Sequence, residues 1–221
     1  MLKAENLCFG GQNMPAHCLN FTLEAGQIQL VTGPSGIGKT TLLNILAGFM
    51  TPARGKLSWR GESLLEMPVW ERPVSLLFQD NNLFGNLSCK TNLAIGLNPS
   101  GKITADQNAL IEHTAAKLNI AELLDRFPET LSGGQQQRIA LMRALIRDDP
   151  IILLDEPFSA LDHDNRRDAL DLIRTLALEH QRCMIVVTHE PSDAGALGAD
   201  ILRLDADQDR KKPEFFGYPA G

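Results

Sequence analysis

The sequence predicts an α/β fold in which short buried strands alternate with helices and present their functional residues along one edge of a sheet. Three observations predict it. Residues 151–154 (Ile-Ile-Leu-Leu) and 184–188 (Met-Ile-Val-Val-Thr) are continuous apolar runs, the form of parallel strands covered on both faces. The glycine-rich stretch at residues 33–41 lies between a strand-like run and a run of helical period, which is the order strand, loop, helix. Between residues 83 and 147 the pattern becomes helical, without strand signals across the residues ahead of the second glycine-rich stretch. Residues 1–221 are therefore read as one domain, with a helical subdomain at approximately 83–147 and a polar tail at 205–221.

Composition narrows the function classes. A chain of 221 residues that is 43% hydrophobic can fill a sizeable core. Its formal net charge of −6 supplies no overall basic field, so nucleic acid is not an expected partner. The four cysteines, Cys8, Cys18, Cys89 and Cys183, form no C-x-x-C pair, and ordinary reduced thiols are expected rather than a disulfide framework or a zinc site. Residues 1–6 lack a leader-like apolar stretch, and no run reaches the about 18 apolar residues that span a bilayer. Any membrane association must then come through a partner.

Taken in order, residues 2–9 and 19–23 read as two strands around a glycine-rich connection at 10–15. Phe9, shortly before a glycine pair, is a candidate for stacking on adenine as well as for plain core. Residues 27–32 form the strand that enters Gly33-Pro34-Ser35-Gly36-Ile37-Gly38-Lys39-Thr40-Thr41, which matches G-x-x-x-x-G-K-[ST]. Backbone N–H groups of such a loop converge on an anion, and the following helix adds the positive end of its dipole. Lys39 is placed to reach the β- and γ-phosphates of a nucleotide and Thr40 to ligate its magnesium ion. The helix runs to Gly48, a C-cap residue. Residues 56–61 suggest a hairpin, and residues 74–78 a buried strand ending at Gln79, whose amide oxygen can ligate a cation or orient water.

A helix is expected from Thr104, and another over 136–147 capped by Ser132. With Gly133, Gly134 and Gln135, that second cap leaves another helix N-terminus open to an anion. The strand at 151–154 delivers Asp155 and Glu156 at its C-terminal end, Asp155 to hold magnesium directly or through water and Glu156 to accept a proton from attacking water. A helix at about 164–180 follows, then the strand at 184–188 with His189 at its end, and a last strand at 201–204.

Together these residues resemble the nucleotide-binding subunit of ATP-binding cassette (ABC) transporters over essentially the whole chain. Residues 33–41 are similar to Walker A, Gln79 to the Q-loop glutamine, residues 131–135 to the signature motif and residues 151–156 to Walker B. Residues 159–162 are similar to the D-loop and His189 to the switch histidine. The phosphate loop alone leaves kinases and GTPases open; the signature stretch is more specific. The resemblance implies a P-loop NTPase cassette with a mixed core sheet, an N-terminal antiparallel β subdomain and a helical signature subdomain. It implies ATP and Mg2+ as ligands, with Thr40, Gln79 and Asp155 around the metal, and Glu156, His189, Lys39 and Gln79 in catalysis. It also implies a homodimer of cassettes in which each ATP is held between residues 33–41 of one copy and Ser132, Gly133, Gly134 and Gln135 of the other.

A narrower likeness lies at residues 72–84 and 96–99, which are similar to the ATPase subunit of bacterial thiamine and thiamine-pyrophosphate importers. It implies transmembrane permease subunits as partners, a periplasmic solute-binding protein indirectly, and a place on the cytoplasmic face of the bacterial inner membrane. Another small solute, a soluble cassette ATPase acting in DNA repair or on the ribosome, and a small-molecule kinase are the alternatives.

Overall fold

The computed structural model describes residues 1–11 and 14–205. Most of the polar tail, residues 206–221, lies outside the described residues, as do Gln12 and Asn13 of the glycine-rich connection.

Two sheets share the chain. The first contains β1 (Leu2–Gly11), β2 (Met14–Leu23), β4 (Arg54–Trp59) and β5 (Glu62–Ser63) in the order β2-β1-β4-β5, with every pairing antiparallel. The second contains β3 (Ile28–Thr32), β6 (Val74–Leu77), β7 (Ile151–Asp155), β8 (Cys183–Val187) and β9 (Asp200–Arg203) in the order β6-β7-β8-β3-β9. Every pairing in this core sheet is parallel, where a mixed sheet is expected from the resemblance. The antiparallel strands form their own sheet because β1 pairs on one edge with its sequence neighbour β2 and on the other with β4, which returns after β3 and α1. Strand β2 is also longer than the run at 19–23 suggests, since pairing with β1 carries it back to Met14.

The inner strands β3, β7 and β8 are buried at every position, as continuous apolar runs must be when helices or a second sheet cover both faces. One core packs the antiparallel sheet and helix α1 (Lys39–Ala47) onto one face of the parallel sheet, with Leu7, Leu42, Leu46, Leu57, Leu153 and Ile185 at its centre. The opposite face is covered by α4 (Gly133–Leu145) and α5 (His163–Glu179), with α2 (Cys89–Leu97) and α3 (Ala105–Lys117) extending that core outward. A short α6 (Asp193–Leu197) completes the described helices. Caps set several starts: Thr104 with Gln107, and Ser132 with Gln135, form reciprocal capping boxes, and Asp162 accepts from Asn165 N–H at the head of α5. Helix α4 therefore begins at Gly133, three residues before the expected start.

The cysteines require a correction. Cys8 and Cys18 are joined in a disulfide, whereas Cys89 and Cys183 are free and buried. Ten residues separate the bonded pair, and only the antiparallel register, which sets Cys8 opposite Cys18, brings them together. Among the described residues no helix is long and apolar enough to cross a membrane.

Candidate functional site

The parallel sheet ends its strands on one edge, and the site is built there. Strand β3 runs into the loop at 33–41, which turns into α1 through Gly38. At φ +113 Gly38 adopts a backbone that side-chain-bearing residues disfavour, and its carbonyl receives the Leu42 N–H at 2.9 Å, the first turn of α1. Lys39 is buried and its Nζ donates to the carbonyls of Gly33 at 2.8 Å and Pro34 at 3.0 Å. Ile37 turns its side chain into the core, while its carbonyl accepts from Nε2 of buried His17 at 2.7 Å.

Strand β7 lies between β6 and β8, so its last residues stand beside Gln79 on one side and His189 on the other. Asp155 is 4% exposed; its Oδ2 accepts from the Thr40 hydroxyl at 2.8 Å, and its Oδ1 is buried without a hydrogen-bond partner. Burial pushes the Asp155 carboxyl above the ordinary range, against the opposing effects of the Thr40 bond and of Lys39 and His189. Glu156 occupies the left-handed region at φ +52, and its N–H donates to the Val187 carbonyl at 3.0 Å. Its Oε1 lies 3.1 Å from Nε2 of His189. Burial raises this carboxyl too, opposed by His189 and Lys39 and reinforced by Asp155.

These groups enclose one cavity of about 260 Å³ lined by Ser35, Gly36, Gly38, Lys39, Thr40, Thr41, Gln79, Asp155, Glu156 and His189. Expected residues from four separate stretches thus meet at the ends of four adjacent strands. A phosphate chain suits the loop, and two raised carboxyls with a histidine beside them suit proton transfer to or from water.

Ser132, Gly133, Gly134 and Gln135 are not in that cavity. They form the first turn of α4, where the Gln135 side chain accepts from Ser132 N–H at 3.0 Å within the capping box. Phe9 needs a correction. It is 4% exposed within the core, with its ring 5.4 Å from that of His17, and so offers no open face to a base. Its ring belongs to the core that packs the antiparallel sheet and α1 onto the parallel sheet. His17 and Gln137 are contacts of the site absent from the sequence-based expectations; a lone histidine in a strand and the third glutamine of a Gln-Gln-Gln run carry no signal of their own.

The family model described as ABC transporter matches residues 16–159. The chain belongs to the ABC transporter family. It is similar to the thiamine import ATP-binding protein ThiQ of Haemophilus influenzae, with 45% identity covering 87% of this chain and 89% of the relative. The ThiQ of Escherichia coli is 43% identical, covering 89% of this chain and 84% of the relative. Among solved structures, the dimeric bacterial ABC transporter cassette MJ0796 superposes with a TM-score of 0.81 at 26% identity, over 93% of this chain and 95% of that one. A post-hydrolysis dimer of the same cassette, bound to ADP and Pi, gives a TM-score of 0.82 at 25% identity, over 99% of this chain and 100% of that one. This ABC protein is an ATPase: it binds ATP and hydrolyses it, and cassettes of its kind form dimers.

Proposed function

We propose that this ABC protein is the ATPase subunit of a membrane importer for thiamine or its phosphate esters. The observation that carries the coupling of hydrolysis to a partner is that the loop from β6, which bears Gln79 on the ATP cavity, continues into the wall of a second groove. That groove, about 320 Å³, is lined by Phe49, Val69, Phe78, Phe84, Ile95 and Arg143 among others. Phe49 and Phe84 are half exposed and neighbouring Trp70 is 83% exposed, an apolar surface suited to an apolar helix of a permease on the cytoplasmic face of the membrane. The cargo reading rests on the relatives named for thiamine import.

In the proposed mechanism the loop N–H groups and Lys39 hold the β- and γ-phosphates, Lys39 exchanging its two carbonyl partners for phosphate oxygens. The unpartnered Oδ1 of Asp155 and the Thr40 hydroxyl fit a hard divalent cation, with Gln79 completing that side. Bound Mg2+ would supply charge neutralisation of the phosphates. Glu156 takes the proton of the attacking water, and His189 orients Glu156 and contacts the γ-phosphate. Ser132, Gly133, Gly134 and Gln135 of a second copy close the site, their helix N-terminus facing the γ-phosphate.

The test is [14C]thiamine uptake in cells lacking this subunit, complemented with the wild type or with Trp70→Glu. Wild type is expected to restore uptake; Trp70→Glu is expected to lose uptake and membrane recovery while keeping ATPase activity in solution. Restored uptake of another solute but not of thiamine would replace the cargo, and full uptake with Trp70→Glu would remove the groove as docking surface.

A further inference from the structure

Gln137 sits on the second turn of α4, and its side chain is 3% exposed, too deep to meet ATP. Its amide is fully used, and every bond reaches the segment that carries Glu156. Nε2 donates to the Glu156 carbonyl at 2.7 Å and to Ser159 Oγ at 3.0 Å, and Oε1 accepts from Ala160 N–H at 2.7 Å. The Ala160 N–H donor and the Glu156 carbonyl acceptor fix this orientation of the amide, and the Ser159 hydroxyl, which itself donates to the Glu156 carbonyl, accepts the second amide N–H.

What it grips is a strained residue. Glu156 lies at φ +52, a conformation that its Cβ makes unfavourable and that persists only where the surroundings impose it. Its N–H is tied to β8 through Val187 and its carbonyl is tied to α4 through Gln137, so the peptide groups on both sides of the strained Cα are held. The same helix is pressed against the turn one step earlier: a Cβ on Gly134 would stand 2.7 Å from the Ala160 carbonyl oxygen.

We propose that Gln137 is a positioning residue for hydrolysis, which holds Glu156 in its left-handed conformation and so sets its carboxylate against His189. Because α4 also carries Ser132 to Gln135 on its first turn, a shift of that turn is passed by Gln137 to the backbone of the base.

Two variants separate this role from simple packing. Gln137→Met keeps the volume and removes all three bonds, whereas Gln137→Glu keeps an acceptor for Ala160 and loses the donor to Glu156. Phosphate release by the full chain, binding of a fluorescent ATP analogue with Mg2+, and thermal melting are measured for each. Both variants are expected to melt lower than wild type, because each leaves buried polar groups without partners, but to stay folded at the assay temperature and to bind the analogue within twofold. Their kcat is expected to fall by about 10- to 100-fold, the order of loss when a reacting group is misplaced by about 1 Å. Wild-type kcat in Gln137→Met would reduce the residue to filler, and wild-type kcat in Gln137→Glu would leave the Ala160 bond as the whole effect. A raised KM with unchanged kcat in either variant also overturns the assignment.

Discussion

Replacing Glu156 by Gln preserves shape and an oxygen for the 3.1 Å contact to His189, and removes only charge and proton affinity. General bases contribute roughly 10²- to 10⁴-fold to rate. At about 1.36 kcal/mol per decade, the barrier to hydrolysis should rise by about 3–5 kcal/mol. Binding of ATP should survive, because Lys39 and Thr40 are untouched and one negative charge beside the phosphates is gone. Folding stability supplies a second, independent readout. The Glu156 carboxyl is raised by burial, so in the pH window between its unfolded and folded values the native state binds more protons than the unfolded state. Its contribution is present below the unfolded value and is lost as pH rises through the folded one. At pH 8 the buried carboxylate therefore opposes folding, and Glu156→Gln should melt higher than wild type, by about 2–4 °C for each kcal/mol relieved, with the difference shrinking toward pH 4. Single-turnover phosphate release and differential scanning fluorimetry at the two pH values measure both effects. Turnover within threefold of wild type would reject Glu156 as base; a lower melting temperature at pH 8 would reject the account of its burial.

Two other outcomes are expected. Asp155→Asn keeps an acceptor for the Thr40 hydroxyl but removes the charge facing the cation, so Mg2+-dependent hydrolysis should fall by at least about 100-fold, while the protein without Mg2+ melts higher at pH 8 by the same sign of reasoning; Mg2+ titration of activity and melting in EDTA check this. Thiol titration of denatured protein should find two reactive cysteines before reduction and four after, and breaking the Cys8–Cys18 bond should remove about 2–3 kcal/mol of stability by the loop-entropy relation for a separation of ten residues; an unchanged melting temperature in dithiothreitol would contradict it.

How much could be read without coordinates depended on whether the information was local. The loop at 33–41, the acidic end of β7 and His189 behind β8 were legible because each motif is continuous and each sits at the end of an apolar run. The caps Thr104 and Ser132 were legible because capping is a matter of three residues, although the helix expected from 136 begins at Gly133 directly behind its cap. The Cys8–Cys18 bond was not, since it depends on strand register and neither cysteine has a local signature. Phe9 was left between two readings, stacking and core, for a related reason: whether a ring at a strand end faces a ligand or the core depends on the sheet packed above it. His17 and Gln137 reach the site across 20 and 19 residues of sequence, and their polarity alone suggests a surface position.

The strand order explains why such separate motifs can act as one centre. In the order β6-β7-β8-β3, Gln79, the carboxylates, His189 and the phosphate loop each follow a different strand, yet all four strands are parallel and end on the same edge. Exchanging β7 with an outer strand would keep every motif intact and separate Glu156 from His189. Burial then makes the arrangement one-sided: Asp155 and Glu156 stand next to each other with carboxyls raised by desolvation, so an approaching cation relieves a charge that folding has already taken out of water. Glu156 differs from Asp155 in that it has His189 rather than the Thr40 hydroxyl as its neighbour, and its left-handed backbone turns it off the strand line. In the proposed mechanism these different neighbours suit the two adjacent carboxyls to different work, Asp155 toward the cation and Glu156 toward the water, and the Gln137 bond to the Glu156 carbonyl ties the second to α4.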